Sequence, residues 1–137
     1  MENFFIKSHN RFRDLPWDVK FLFVVSFFIA FAWIFTTRFV FTQNQNDWLS
    51  EFQIDKIVHF SGGIFIAGIF SIYSNKTQRR LLIFWTLAVG ILWEIWEILF
   101  FPDQYIRYQV HFLLWLTDTL GDIAADILGA YFLANIL

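Results

Sequence analysis

Phe112–Leu137, FLLWLTDTLGDIAADILGAYFLANIL, is long enough to cross a bilayer, yet it carries Asp118, Asp122 and Asp126 within it. A ~30 Å hydrocarbon core is spanned by about 20 apolar helical residues, and no proline interrupts this stretch. The three aspartates are spaced i, i+4, i+8. At about 100° per residue they fall within about 80° of arc over ~12 Å of rise. Gly121, Ala125 and Gly129 share that arc. Small residues let a neighbouring helix approach closely, so the acidic stripe is expected to face protein rather than lipid.

The same design recurs upstream. Leu81–Phe101 holds Glu94 and Glu97 at i, i+3, with Gly90 one turn before Glu94. Another apolar stretch opens with Asp55 and His59, followed on the same face by Gly62 and Gly63. A carboxylate at mid-membrane costs about 2.5–3.5 kcal/mol even on the lenient insertion scale. The five carboxylates of the last two stretches therefore represent about 12–18 kcal/mol before compensation. Partners inside the protein, or a bound cation, must offset it.

Composition sets the class. A hydrophobic fraction of 58%, with 20 Phe and seven Trp in 137 residues, is more apolar surface than a soluble domain of this size can hide. A net charge of −2 without a basic tract excludes a nucleic-acid role. With no cysteine, thiol catalysis, disulfides and thiolate metal sites are excluded too. The expected fold is a single-domain, all-α integral membrane protein. It is a four-transmembrane-helix bundle with spans near Lys20–Val40, Lys56–Tyr73, Leu81–Phe101 and Phe112–Leu137. The first span is too long for a signal-peptide core and no small-residue cleavage site follows it, so it reads as a retained helix. Residues 1–19 form a cytoplasmic or interfacial segment, with Pro16 near the first turn of the first helix.

Lys/Arg bias sets orientation. Lys7, Arg11, Arg13, Lys20, Lys76, Arg79 and Arg80 fall on one side, and Arg38, Lys56 and Arg107 on the other. Both termini are expected in the cytoplasm of a multi-pass protein of the cell membrane. Thr42–Gln53 and Pro102–Val110 then become outer loops, with Trp48, Tyr105 and Tyr108 at the outer interface. Alternating helix direction puts Asp55, His59, Glu94, Glu97, Asp118 and Asp122 in the same half of the bilayer. By the charge bias that half is the outer one, which gives a polar acidic cavity there. Asp126 lies deeper, and the first helix covers the bundle from the lipid side.

These motifs resemble a known group. Asp55–Gly63, DKIVHFSGG, resembles the DxxxHF opening of VanZ-like small membrane proteins. Trp93–Glu97, WEIWE, and Asp118–Ala130, DTLGDIAADILGA, are similar to the WEIxE and DTxxDxxADxxGA helices of their YjdF-type relatives. The resemblance spans Asp55 to Ala130 and implies a shared helical membrane fold. VanZ-like proteins are associated with low-level glycopeptide resistance. Asp126 and the Glu94/Glu97 pair side with the YjdF-type group, so that activity is not carried over.

The leading functional expectation is a hard-cation site built from His59, Asp55, Glu94, Asp118, Asp122 and Asp126. Carboxylates with a histidine suit Mg²⁺, Mn²⁺, Ca²⁺ or Zn²⁺. The ion could polarise a lipid-linked phosphate of the cell envelope, with Glu94, Glu97, Asp118 and Asp122 as candidate catalytic carboxylates. The upstream element of the phospholipid-making phosphotransferases is missing, so the Asp-x3-Asp-x3-Asp run is not assigned to them. Two alternatives stand beside this one. In the first, the acids form an interhelical hydrogen-bond network with Lys56, Arg38, Arg107 or His59 as partners. In the second, Asp118, Asp122 and Asp126 relay protons or cations inward, which in so short a chain calls for a homo-oligomer. Lys56 reads first as a snorkelling anchor at the outer surface. His111 reads as interfacial, His9 as surface, Ser61 as bonded to its own helix, and Trp93 and Trp96 as facing lipid or packing partners.

Overall fold

The computed structural model describes residues 12–35, 54–73, 78–100 and 112–137. Among them are four long α-helices and no strand: α1 Trp17–Phe35, α2 Ile54–Tyr73, α3 Arg79–Phe100 and α4 Phe112–Ile136; residues 12–14 are helical as well. Asp55–Tyr73, Arg79–Phe100 and Trp115–Ile136 are each long and apolar enough to cross a membrane. Residues 1–11, 36–53, 74–77 and 101–111, which take in both expected outer loops, lie outside the described residues. So do His9, Arg38, Trp48, Tyr105, Arg107, Tyr108 and His111.

Two helices start earlier than hydropathy alone suggests. The first begins at Trp17 rather than Lys20, because the Pro16 carbonyl already accepts the Lys20 amide at 3.1 Å. Proline at a helix start costs nothing, since its missing N–H has no intrahelical partner there. The third begins at Arg79 rather than Leu81, with the Gln78 carbonyl accepting the amides of Leu81 and Leu82 at 2.8 and 3.2 Å. Each early turn carries charge, Asp18 in the first helix and Arg79 with Arg80 in the third, which lowers its hydropathy.

Ring and glycine contacts fix the helix directions. Phe23 packs on Gly68 and Phe65, while Phe27 packs on Phe65, so α1 runs antiparallel to α2. At one end of α3 and α4 the Arg79 guanidinium bonds Asn135 and lies 4.9 Å from the Tyr131 ring centroid. Glu94 meets Asp122 toward the other end, so these helices are antiparallel too. The most extensive pairing is α2 with α4, which run parallel; α3 also packs on both. α1 rests mainly on α2, in keeping with its expected place as an outer cover.

Polarity is arranged inside out. Leu92, Leu99, Leu113 and Leu128 project outward, while Asp122 and Asp126 are buried. A chain surrounded by lipid has no reason to hide aliphatic side chains and strong reason to hide carboxylates. Val19, Ile64, Ala67, Leu82, Ala130 and Leu133 form a closed apolar core toward the starts of α1 and α3. Acidic residues gather toward the starts of α2 and α4.

Candidate functional site

The site begins with a backbone contact. At Gly63 on α2 a Cβ would collide with the Asp126 carbonyl on α4. At Gly129 on α4 a Cβ would collide with the Phe60 carbonyl on α2. These two glycines, each set against the backbone of the other helix, bring α2 and α4 together, as small residues do in membrane helix pairs. On α3, Gly90 leaves room for the Asp126 carboxylate, since a Cβ there would stand 2.8 Å from Oδ2. Gly62 faces the same carboxylate from α2, with Oδ1 3.6 Å from where its Cβ would be. Three glycines thus shape a slot around one aspartate.

The expected stripe on α4 is present and graded. Side-chain exposure falls from 38% at Asp118 to 9% at Asp122 and 7% at Asp126. Lys56 crosses from α2 to meet it. Its Nζ donates to Asp118 Oδ1 and Asp122 Oδ1 at 2.6 Å each, and to its neighbour Asp55 Oδ2 at 3.0 Å. The snorkelling-anchor expectation for Lys56 is therefore corrected: the ammonium points into the cluster. Its stem lies over Gly121, where a Cβ would be 3.0 Å from Lys56 Cε.

His59 sits one turn further in. Its Nδ1–H donates to Asp126 Oδ2 at 3.3 Å, and its Nε2 stands 3.8 Å from Asp122 Oδ1. The two aspartates thus lie at different nitrogens of the imidazole. Glu94 completes the group from α3, with Thr119 of α4 hydrogen-bonded to it. Its Oε1 is buried and has no hydrogen-bond partner among the described residues.

Two sets of potential ligands result. His59, Glu94 and Asp122 offer ligand atoms all within 4.8 Å of one another, as do Asp55, Asp118 and Asp122. Asp122 belongs to both. The second set already surrounds the Lys56 ammonium; the first draws one residue from each of α2, α3 and α4. Glu97, half-buried one turn beyond Glu94, belongs to neither set among the described residues. Ser61 is buried, and Trp93 and Trp96 pack on each other with centroids 5.0 Å apart.

Sequence reasoning read Lys56 first as a surface anchor, naming it only second as a partner of the acids, and passed over Thr86. Lys56 shares a face with Gly63, seven residues on, and so lies on the line that packs against α4. Thr86 is fully buried and its hydroxyl has no partner among the described residues. It lies at i−4 from Gly90 and i−8 from Glu94, the spacing that singled out the aspartates of α4.

No curated protein and no solved structure matches the chain. A family model does: residues 4–137 match the one described as "Predicted membrane protein (DUF2238)", and the chain belongs to that membrane protein family.

Proposed function

We propose that this protein is a four-span membrane bundle with both termini in the cytoplasm, whose acidic pocket in the outer half binds a divalent cation. His59, Glu94 and Asp122 are its ligands in this reading. The observation that carries it is Glu94, which offers a carboxylate oxygen within 4.8 Å of ligand atoms of His59 and Asp122 and whose Oε1 is buried without a hydrogen-bond partner among the described residues. A carboxylate oxygen with no donor is costly in a low-dielectric interior, and a cation would answer it. Ligand atoms around an ion with bonds near 2.1 Å stand about 3–4.2 Å apart, so at most about 2 Å of closure is needed. The oxygen and imidazole donors suit Mn²⁺ or Zn²⁺, and also Mg²⁺ or Ca²⁺. Asp126 takes the orienting role, holding Nδ1 so that Nε2 faces Asp122; metal-bound histidines commonly have such a carboxylate behind them.

The substrate class that fits this chemistry is a lipid-linked phosphate ester or pyrophosphate of the cell envelope, met from the outer leaflet. There the ion would polarise a phosphoryl oxygen, and Asp118 or Glu97 would accept a proton from water. One observation favours a purely structural reading instead. Lys56 pairs with Asp55, Asp118 and Asp122 from within, tying α2 to α4 as an interhelical network would.

Metal content of the detergent-purified protein separates the two. Near-stoichiometric Mn, Zn or Ca is expected in the wild type and not in an Asp122→Asn, Glu94→Gln variant that folds equally well. Mg²⁺ exchanges readily, so a thermal-shift titration accompanies the analysis. If neither protein holds metal and divalent ions leave stability unchanged, the cation reading fails and the network stands.

A further inference from the structure

We propose that Lys56 is a built-in competitor for the cation site, setting how tightly it binds and restricting it to divalent ions. This rests on the cation reading of His59, Glu94 and Asp122 and assigns its regulation. The juxtaposition that carries it is at one atom. Asp122 Oδ1 accepts the Lys56 ammonium at 2.6 Å and is also the oxygen 3.8 Å from His59 Nε2. Asp122 is the ligand common to both candidate sets. An ion on the His59 side must draw on a carboxylate that the lysine already holds.

The two competitors differ in freedom. Asp122 is short and its side chain only 9% exposed, so it has nowhere to go. Lys56 has a four-carbon stem and a side chain 21% exposed, and it keeps two other partners if it releases Asp122. Asp118 Oδ1 at 2.6 Å and Asp55 Oδ2 at 3.0 Å retain it at the rim of the cluster. Release is therefore a small swing of one side chain, not an opening of the helices. Gly121 shows that the lysine's inward position is built in, because a side chain there would meet the Lys56 stem first.

Selectivity follows from charge. A monovalent ion brings no more charge to Asp122 than the ammonium it displaces, and it must also shed water. A divalent ion brings twice the charge and gains the Glu94 oxygen that has no other donor among the described residues. Wild-type protein is thus expected to respond to Mn²⁺ and not to Na⁺, and a chain without the lysine to respond to both.

The test is Mn²⁺ titration of the full chain in detergent, following free Mn²⁺ by electron paramagnetic resonance. Wild type is compared with Lys56→Met, Lys56→Arg and Gly121→Val. Lys56→Met is expected to bind at least about tenfold tighter, the scale of one close charge pair, and Lys56→Arg no tighter than wild type. Gly121→Val keeps every charge and displaces the lysine stem; it is expected to tighten binding, and it serves if Lys56→Met does not fold. Equal affinity in wild type and these variants overturns the competition and leaves the cation site standing. Binding by Lys56→Met but not by wild type supports Lys56 as the resident occupant and overturns the cation reading of the native protein. No binding by any of them overturns both. A sodium-induced thermal shift as large in wild type as in Lys56→Met, with choline as the salt control, overturns the selectivity.

Discussion

The carbonyl oxygen of Asp126 occupies the space where a side chain on Gly63 would begin, so α2 and α4 touch backbone to backbone at the most enclosed carboxylate among the described residues. Gly63→Ala must therefore push apart the helix pair that carries Lys56, His59 and the aspartates. Overpacking of a close contact costs about 1–3 kcal/mol, and backbone on one side leaves little room to relax. Gly62→Ala is the control, since its Cβ meets only Asp126 Oδ1 at an ordinary 3.6 Å. Removing a helical glycine gains about 0.5–1 kcal/mol, so that variant should match or exceed wild type. Thermal unfolding in detergent checks both, and a Gly63→Ala protein as stable as wild type would refute the contact.

Asp126 also governs the imidazole. Its carboxylate accepts from His59 Nδ1 at 3.3 Å while Nε2 faces Asp122, so Asp126→Asn alters the hold on the ring and leaves the proposed ligands in place. Loss of a carboxylate behind a metal-binding histidine typically weakens metal binding about 10–100-fold. Asp126→Asn should fall in that range, whereas Glu94→Gln should abolish Mn²⁺ binding. An Asp126→Asn protein with wild-type Mn²⁺ affinity would show that Asp126 does not orient His59.

Much of this arrangement was legible in the spacing of residues. Asp118, Asp122 and Asp126 lie on one face with Gly121, Ala125 and Gly129, and that face is turned to protein, as i, i+4, i+8 demands. Gly62, Gly63 and Gly90 all point at the cluster, as their register with His59 and Glu94 implied. Lys56 was legible only as two alternatives, a surface anchor or a partner of the acids. A lysine at a helix end can reach either water or the interior, and only the gap over Gly121 on a helix 65 residues away decides which. The two nitrogens of His59 were likewise beyond periodicity, which places a ring on a face but not its edges against particular oxygens.

The chain offers a direct test of topology because it has no cysteine of its own. Gln78, just before α3, and Phe112, at the start of α4, are both exposed and lie at opposite ends of their antiparallel pair. Single Gln78→Cys and Phe112→Cys proteins should react differently with a membrane-impermeant maleimide. With cytoplasmic termini, position 112 labels in intact cells and position 78 only after permeabilisation. The reverse pattern would place the acidic pocket in the inner half and remove the outer-leaflet substrate from consideration.

Thr86 separates a closed interior from a wet one. Its side chain is fully buried and its hydroxyl makes no hydrogen bond among the described residues, one turn from Gly90 and the slot that holds Asp126. An unsatisfied buried hydroxyl costs about 1–3 kcal/mol, and replacing it with an apolar group of the same shape removes that cost. Thr86→Val should therefore unfold at the same temperature as wild type or higher, with unchanged Mn²⁺ affinity. If it is instead destabilised by about 1 kcal/mol or more, the size of one net hydrogen bond, the hydroxyl has a partner. The nearest polar feature known on that face is the Asp126 slot, so the loss would mean that water enters past Gly90. A polar path would then run from Lys56 through Asp122, His59 and Asp126 toward the middle of the helices, which is what inward proton movement requires and a closed cation site does not.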